Sequence, residues 1–443
     1  MFRRKAYERL LEWKNSYSDR YAALLEGARR VGKSTIAEEF AKNEYETYIL
    51  IDFAHITKEM RAIFDDIANL DLFFLQLQAL TGISLKRGRS VIIFDEIQLM
   101  PSARQAIKYL VKDGRYSYIE TGSLISIKKN VKGIVIPSEE YRIPVYPMDY
   151  EEFLWAAGKE TYSLLQEISL RKTPIGNAVN RALMRDFRLY MAVGGMPQAV
   201  EAYIEGKDLS GIDFVKREII ELYKADFRKI DPSGRISAMY EAIPGQLALK
   251  RRRYVISAAT GKKKGTKDAE LLADLIDSKT VIPCFNITNP GIALSQSRDP
   301  EVFKLYTADT GLFTTLMFNH ESKTYSDIYT KLLSDRLEAD LGYMYENAVA
   351  QIIRSNGREV CYHTWMPAGA SHSYEIDFLI TDKTKLIPVE VKSAAVNSHR
   401  SMDAFCEKYS GVVSRRWLFS QKDIGHQGML EFKPIYLAPV LLK

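Results

Sequence analysis

A chain of 443 residues is longer than one ordinary domain and predicts an organisation into two to four domains. Its composition, with 46% hydrophobic and 27% charged residues, is that of a soluble globular protein with a sizeable core. The net charge of +6 permits nucleic-acid binding but does not require it.

The cysteines and the apolar runs exclude several classes of protein. Cys284, Cys361 and Cys406 lie far apart and form no CxxC pair, which argues against a disulfide scaffold or a zinc finger. This cysteine usage fits a reducing cytoplasm, which is the predicted location. No apolar run approaches the ~20 residues of a membrane span, and no leader-like apolar segment follows the basic N-terminus. We therefore expect no membrane partner.

The first predicted elements enclose a glycine-rich loop. Residues 6–18 have the pattern of an amphipathic helix, residues 21–25 form a short apolar strand, and a second helical pattern stops near Asn43. Between this strand and the second helix lies a loop that fits the GxxxxGK[ST] pattern. It consists of Gly27, Ala28, Arg29, Arg30, Val31, Gly32, Lys33, Ser34 and Thr35.

A strand, a glycine loop and a helix N-terminus direct several backbone N–H groups to one point, which suits the triphosphate of ATP. In this arrangement Lys33 reaches the β- and γ-phosphates, and the Ser34 hydroxyl is a ligand of Mg²⁺. The alternative is a glycine turn before an ordinary helix. The flanking strand and helix favour nucleotide binding.

Two acids follow the third predicted strand. Residues 47–53 form the second strand, a leucine-rich helix covers residues 70–80, and residues 90–94 form a continuous apolar run that ends in Asp95 and Glu96. Such a run is typical of a central strand in a parallel sheet. Asp95 is therefore predicted to hold the water shell of Mg²⁺, and Glu96 to orient and deprotonate the attacking water. The alternative is a solvated strand end, which the preceding glycine loop disfavours.

A fourth strand, residues 116–120, leads into Thr121, Gly122 and Ser123. Thr121 and Ser123 are candidates for contact with the γ-phosphate, and plain turn residues are the alternative. Strands that alternate with helices predict an α/β fold with a doubly wound parallel sheet and with ligands at the carboxyl ends of its strands.

These motifs resemble those of an AAA+-type P-loop ATPase, of the bacterial and archaeal kind that continues into a C-terminal domain of unknown function. The matching stretches are residues 25–34, 94–98, 120–123, 146–154, 193–197, 303–306 and 309–312. The resemblance implies that residues 1–155 form an ATPase core that binds and hydrolyses ATP with Mg²⁺. Arg29, Arg30 and Arg142 are candidate arginine fingers, none assigned by matching, and an ordinary exposed surface arginine is the alternative for each. Self-association stays open.

The middle of the chain predicts two further parts. Residues 156–235 have helical patterns and no separate chemistry, as expected of a lid or connector. Residues 236–325 combine helices with a strand and with two basic runs, Lys250-Arg251-Arg252-Arg253 and Lys262-Lys263-Lys264. This order fits a winged helix whose basic loop contacts DNA phosphates without reading sequence, and the family resemblance indicates the same. The alternative is an ordinary solvated charged face.

A second candidate site lies in residues 326–443. Glu346 sits on a helix with an apolar stripe, and Asp377 lies within a predicted strand, residues 374–380. Period two places Glu390 and Lys392 on one face of a strand over residues 386–392. If the two strands fold back as a hairpin, Asp377 lies opposite Val389 or Glu390.

This combination of acids and a lysine suits phosphodiester hydrolysis. Asp377 and Glu390 are predicted ligands of Mg²⁺, Glu346 completes the shell, and Lys392 positions water or offsets negative charge. The pattern resembles the restriction-endonuclease-like (PD-(D/E)xK) nuclease fold, with Ile376 in place of the proline. The alternatives are salt bridges on an exposed strand, or a nuclease-like fold kept for binding alone.

Two hypotheses of function follow. In the first, ATP drives an enzyme that processes DNA through the C-terminal site. In the second, ATP controls a switch that binds DNA or a protein partner, and the nuclease-like fold is inactive. A membrane-bound transporter ATPase is disfavoured because no spanning segment is present.

Overall fold

The structure is a computed structural model that describes residues 1–65, 67, 69–122, 137–261, 265–318, 329, 332–333, 342–367, 372–393 and 399–443. The chain divides into two compact units. The first comprises Met1–Tyr146 and Asp277–Lys279, and the second comprises Pro147–Ile276 and Thr280–Lys443. Among the described residues, no helix is long and apolar enough to cross a membrane.

The first unit contains a five-stranded sheet in the order β2-β3-β4-β1-β5, and every pair of neighbouring strands is parallel. This confirms the predicted α/β class with a parallel sheet. The strands are β1 (Ala22–Glu26), β2 (Thr47–Asp52), β3 (Ser90–Asp95), β4 (Ser117–Gly122) and β5 (Glu140–Pro144). The helices are α1 (Lys5–Ser16), α2 (Lys33–Glu44), α3 (Lys58–Ile63), α4 (Leu70–Thr81) and α5 (Pro101–Asp113).

The central strands are buried on both faces, as their continuous apolar sequences predict. Ile92, Ile93 and Phe94 of β3 and Leu25 of β1 have essentially no exposed surface. β5 is the strand of this sheet that the sequence did not predict. Its residues are polar apart from Ile143 and Pro144, because β5 lies at the edge of the sheet.

The second unit begins with helices, as predicted for the connector. They are α6 (Tyr150–Ala156), α7 (Thr161–Ser169), α8 (Asn177–Val193), α9 (Pro197–Ile204), α10 (Leu209–Ile230), α11 (Arg235–Glu241), α12 (Ile243–Ala248), α13 (Ile256–Thr260) and α14 (Asp268–Asp277). Four more helices lie in the later described part of the chain: α15 (Thr310–Met317), α16 (Gly342–Ser355), α17 (Arg400–Lys408) and α18 (Ala438–Leu441).

Two glycines allow close packing after α8. Gly194 ends the helix with φ of 86°, a left-handed value that favours glycine. A Cβ atom at Gly195 would lie 2.0 Å from the carbonyl oxygen of Met148, so that no other residue fits. The Asp309 carboxylate accepts hydrogen bonds from the Gly195 amide (2.6 Å) and the Leu312 amide (2.8 Å). The helix break that the sequence predicts before α9 is therefore a buried contact between three separate segments of the chain, which contain Met148, Gly195 and Asp309.

Two sheets complete the second unit. A four-stranded sheet has the order β7-β6-β8-β9, and a five-stranded sheet has the order β10-β11-β12-β14-β13. The strands are β6 (Val281–Ile287), β7 (Arg298–Thr307), β8 (Val360–Trp365), β9 (Tyr374–Ile376), β10 (Phe378–Asp382), β11 (Lys385–Val391), β12 (Arg416–Ser420), β13 (Gly425–Gln427) and β14 (Leu430–Pro434).

The single strand expected over residues 374–380 is two strands. β9 pairs with β8 and β10 pairs with β11, so the chain changes sheets at Asp377. The physical reason is that the Asp377 side chain, through Oδ2, accepts the Val391 amide at 2.8 Å. The hairpin itself forms as predicted, with Lys383 in its turn at φ of 54°.

The region predicted as a winged helix contains helices α11 to α14 and the antiparallel hairpin of β6 and β7. β6 also pairs in parallel with β8, so hydrogen-bonded strands cross the expected boundary at residue 325. Both the winged helix and the four-part division therefore remain predictions.

Candidate functional site

The glycine-rich loop joins β1 to α2. A Cβ atom at Gly27 would lie 2.1 Å from the carbonyl oxygen of Val145, and Gly32 has φ of 94° at the start of the helix. Both positions therefore require glycine. Arg30 also has a positive φ, 68°, so the loop turns sharply between the two glycines.

The Lys33 side chain folds back into the glycine-rich loop and contacts its backbone. Its Nζ donates hydrogen bonds to the carbonyl oxygens of Gly27 (3.1 Å) and Ala28 (2.9 Å), and only 6% of the residue is exposed. Burial lowers the pKa of Lys33, whereas the nearby charges of Glu96 and Asp95 act in the opposite direction. The loop, the lysine, Asp95 at the end of β3 and Glu96 directly after it thus lie close together.

Side-chain oxygens from two elements, α2 and β4, converge on Asp95. The Ser34 hydroxyl donates to Asp95 Oδ1 at 2.6 Å, and the Thr121 hydroxyl also donates to Oδ1. The Glu96 amide donates to Thr121 Oγ1 at 3.2 Å, and Gln98 Nε2 donates to the Glu96 carboxylate. Hydroxyl and carboxylate oxygens are the ligands that Mg²⁺ prefers, so Ser34 and Asp95 fit this ion.

The remaining predicted residues differ in exposure. Ala28 and Val31 are buried, Arg29 is half-buried, and Arg30 and Thr35 are exposed. Arg142 lies on β5 with about half of its side chain exposed, 3.8 Å from Glu140. Ser123 lies outside the described residues. The assignment of an arginine finger stays open.

Arg4 is a residue of this site that sequence reasoning missed. It is buried, and its guanidinium donates to the carbonyl oxygens of Val31 (2.8 Å) and Tyr146 (2.7 Å). The basic N-terminal residues gave no signal of this role, because the contact joins positions far apart in the sequence. Arg4 supports the glycine-rich loop from outside.

A second group of charged residues lies in the second unit. We call it the carboxylate cluster, and it consists of Glu346, Glu375, Asp377 and Glu390 with Lys304 and Lys392. Lys392 Nζ lies 3.2 Å from Glu390 Oε2, and Lys304 Nζ lies 2.5 Å from Glu375 Oε1. The Tyr306 hydroxyl donates to Glu346 Oε2 at 3.3 Å. The four residues predicted from the sequence thus lie within electrostatic reach of one another.

Burial and mutual repulsion raise the pKa of several of these carboxyl groups. Burial and the neighbouring Asp377 charge raise the pKa of Glu346 to about 7. Burial also raises the pKa of Glu375 and of Glu390, although Lys304 and Lys392 oppose this. Burial opposes protonation of Lys392, but the charges of Asp377 and Glu390 outweigh it and raise the lysine pKa.

The cluster has more carboxylates than ammonium groups. Glu390 is 2% exposed, and its Oε1 atom has no hydrogen-bond partner among the described residues. In the part of the chain that the structure describes, no three His, Cys, Asp or Glu side chains are arranged to hold a metal ion. Asp377 and Glu390 remain the predicted pair of metal ligands, and the part of Glu346 in the shell stays a prediction.

Lys304, Tyr306 and Glu375 are the members that sequence reasoning did not assign to this site. Lys304 and Tyr306 come from β7, upstream of the predicted nuclease-like segment. Glu375 lies two residues before Asp377, and this proximity was the one available signal. The position of Lys304 depends on the pairing of β7, β6, β8 and β9, which no local pattern reveals.

A parallel sheet, a glycine loop between β1 and α2, and a carboxylate at the end of β3 that contacts the loop serine define a P-loop nucleotide-binding domain. Residues 19–154 match the family model described as an AAA domain, and these residues make up most of the first unit. This confirms the resemblance for the N-terminal part of the chain. Residues 184–323 and residues 341–429 match two domains of unknown function.

Comparison with individual proteins gives weak similarities. None of the curated proteins matches the chain. The structure is similar to that of Cdc6p from Pyrobaculum aerophilum (14% identity, 74% of this chain, 92% of that chain, TM-score 0.25). It is also similar to the Holliday junction branch migration motor RuvB of Thermotoga maritima, with 14% identity over 65% of this chain and 90% of that chain and a TM-score of 0.28. A third similar structure is that of a STAND-class signal-transduction ATPase from Pyrococcus horikoshii, with 12% identity over 79% of this chain and 45% of that chain and a TM-score of 0.27.

Proposed function

We propose that the AAA-type domain binds ATP and hydrolyses it in a Mg²⁺-dependent reaction. The observation that carries this proposal is the convergence of the Ser34 and Thr121 hydroxyls on Asp95, beside the buried Lys33. These groups lie at the carboxyl ends of adjacent parallel strands and at a helix N-terminus, where phosphates bind favourably.

Each residue has a separate part in the reaction. The loop amides and the Lys33 ammonium bind the β- and γ-phosphates, and Ser34 and Asp95 hold the metal shell. Glu96 accepts a proton from a water molecule, whose oxygen attacks the γ-phosphorus while the bond to the β-bridging oxygen breaks, giving ADP and phosphate. When bound, Mg²⁺ neutralises negative charge on the phosphates.

An assay of ADP release with Mg²⁺ tests this proposal. The variant Glu96→Gln should lower turnover by ~10²–10⁴-fold, because it removes the base but leaves the phosphate cradle. ATP binding should be unchanged. Glu12→Gln, at an exposed position on α1, is the matched control and should hydrolyse ATP normally. Equal turnover by Glu96→Gln and the unaltered protein would overturn the assignment of the base.

A second proposed activity is phosphodiester hydrolysis by the carboxylate cluster. Its support is the ion pair between Lys392 and Glu390, next to Asp377, on a hairpin packed beside the helix of Glu346. Water would add to the phosphorus, the bond to one sugar oxygen would break, and that oxygen would take a proton. A divalent ion held by Asp377 and Glu390 would offset charge on the phosphate.

The alternative is a nucleotide switch whose C-terminal fold only binds a partner. The two possibilities differ in the expected effect of Asp377→Asn. An enzyme should lose Mg²⁺-dependent DNA cleavage and keep ATP turnover, whereas a switch should show no cleavage before or after the substitution. A gel assay on labelled single-stranded, duplex and branched DNA, with and without ATP, separates them.

A further inference from the structure

Four consecutive cations, Lys250, Arg251, Arg252 and Arg253, join α12 to α13, and we call them the basic segment. Lys250, Arg252 and Arg253 are exposed, and Arg251 is half-buried. None of the four side chains forms an ion pair within 4 Å with another described residue. Their charges are therefore available to an external anion.

Hydrogen bonds fix the backbone of the basic segment on the second unit. The Tyr254 amide donates to the Phe303 carbonyl oxygen at 2.7 Å, and the Tyr254 hydroxyl donates to the Met239 carbonyl oxygen at 2.6 Å. The Tyr362 hydroxyl donates to the Arg252 carbonyl oxygen at 2.5 Å. The segment is thus tied to β7 and β8 of the four-stranded sheet.

These contacts place the basic segment beside the carboxylate cluster. The Lys304 ammonium lies 5.1 Å from the centre of the Tyr362 ring and 2.5 Å from the Glu375 carboxylate. The Arg252 guanidinium is close enough to Glu375 to stabilise its negative charge. Two side chains, Tyr362 and Lys304, therefore connect the backbone of Arg252 to the cluster.

The neighbouring helix α14 offers a poor surface to a polyanion. Residues 268–277 contain Asp268, Glu270, Asp274 and Asp277 and no lysine or arginine. A helix with this charge is repelled by the phosphates that line a DNA groove. Among the described residues from 250 to 277, the exposed cations are Lys250, Arg252 and Arg253 of the basic segment and Lys267, which precedes α14.

We propose that the basic segment and the carboxylate cluster form one continuous binding site for a nucleic-acid strand. The inference rests on the C-terminal activity proposed above. Arg252 and Arg253 hold backbone phosphates next to the phosphodiester that the cluster receives. In duplex DNA each strand carries one phosphate per about 3.4 Å of helix axis, so one strand can present phosphates to both parts of the site. An acidic protein fits less well, because its carboxylates carry no phosphodiester bond for the cluster to receive.

The experiment uses the full chain and fluorescein-labelled DNA in EDTA, where binding is measured by anisotropy without metal-dependent cleavage. The double variant Arg252→Gln/Arg253→Gln should bind about tenfold more weakly, and the slope of log affinity against log salt should fall by about two. The double variant Arg171→Gln/Lys172→Gln removes the same charge from an exposed loop between α7 and α8, and should bind as the unaltered protein does.

The outcomes separate the inference from the activity on which it rests. Normal binding by Arg252→Gln/Arg253→Gln, with DNA cleavage that needs Asp377, would overturn the inference alone. Weakened DNA binding by this variant, with no DNA cleavage by the unaltered protein in Mg²⁺, would overturn the proposed phosphodiester hydrolysis. It would still support the proposed nucleic-acid binding site. Displacement of DNA by poly-glutamate at equal charge would indicate an acidic protein partner and overturn the inference.

Discussion

At the scale of single residues, chemistry that is local in sequence was predictable and chemistry that depends on distant contacts was not. The roles of Lys33, Ser34 and Asp95 follow from short motifs, and the structure brings these residues together. Arg4 and Lys304 carried no such signal, because their partners lie far away in the chain.

Arg4 provides a residue-scale prediction. Arg4→Met should weaken ATP binding roughly tenfold and cost about 2 kcal/mol of stability, because it leaves the buried carbonyl groups of Val31 and Tyr146 without these donors. Isothermal calorimetry and urea unfolding measure the two effects. The neighbouring variant Arg3→Met, at an exposed position paired with Glu8, should change neither. Equal ATP affinity in both variants would contradict the supporting role of Arg4.

His363 should make the stability of the second unit depend on pH. Burial lowers the pKa of His363 to about 4, although the contact of its Nδ1 with the Ile287 carbonyl oxygen opposes this. In the folded state the pKa therefore lies below the unfolded value of about 6.5. The unfolded chain binds more protons between these values, so stability is lost as the pH falls through this window, by up to about 3 kcal/mol.

The variant His363→Gln tests this dependence. Its urea unfolding midpoint should fall less than that of the unaltered protein between about pH 7 and pH 5, because glutamine has no titrating group. Its stability at neutral pH will be lower, since the stacking against Trp365 is lost. If both proteins lose equal stability on acidification, another group is responsible.

At the scale of elements, the spacing of hydrophobic residues predicted which segments form strands and hairpins better than it predicted which strands pair with one another. The central strands and the hairpin of β10 and β11 follow from apolar runs, alternation and turn residues. β5 was missed because an edge strand needs few apolar residues. The break at Asp377 was missed because the alternation of residues continues through it, and only a tertiary hydrogen bond reveals it.

The junction after α8 gives a prediction at this scale. Gly195→Ala should destabilise the second unit by about 3 kcal/mol or more, because the new methyl group would meet the Met148 backbone at 2.0 Å. Gly245→Ala is the matched control, since a Cβ atom there meets nothing within 4 Å and the position lies in α12. The control should be neutral or slightly stabilising. Thermal unfolding of both variants checks the difference, and equal melting temperatures would contradict it.

At the scale of the whole molecule, the two proposed activities place two sites for phosphate chemistry in one chain, and the first hypothesis from the sequence makes DNA cleavage depend on ATP. Lys392→Ala should lower ATP-dependent DNA cleavage roughly 100-fold or more and leave ATP binding unchanged. Lys385→Ala removes an exposed lysine from the same strand, β11, and should cleave normally. Cleavage assays run beside ATP titrations provide the check. Full cleavage by Lys392→Ala would exclude the C-terminal site as its source.

The central claim is that the glycine-rich loop binds ATP with magnesium. Calorimetric titration of the full chain with ATP and Mg²⁺ tests it most directly, using the unaltered protein and Lys33→Ala. We expect one molecule of ATP to bind per chain, and the affinity to fall at least about 100-fold in Lys33→Ala, because charge-assisted contacts to phosphate are strong. Absence of binding by the unaltered protein, or equal binding by the variant, would contradict the account.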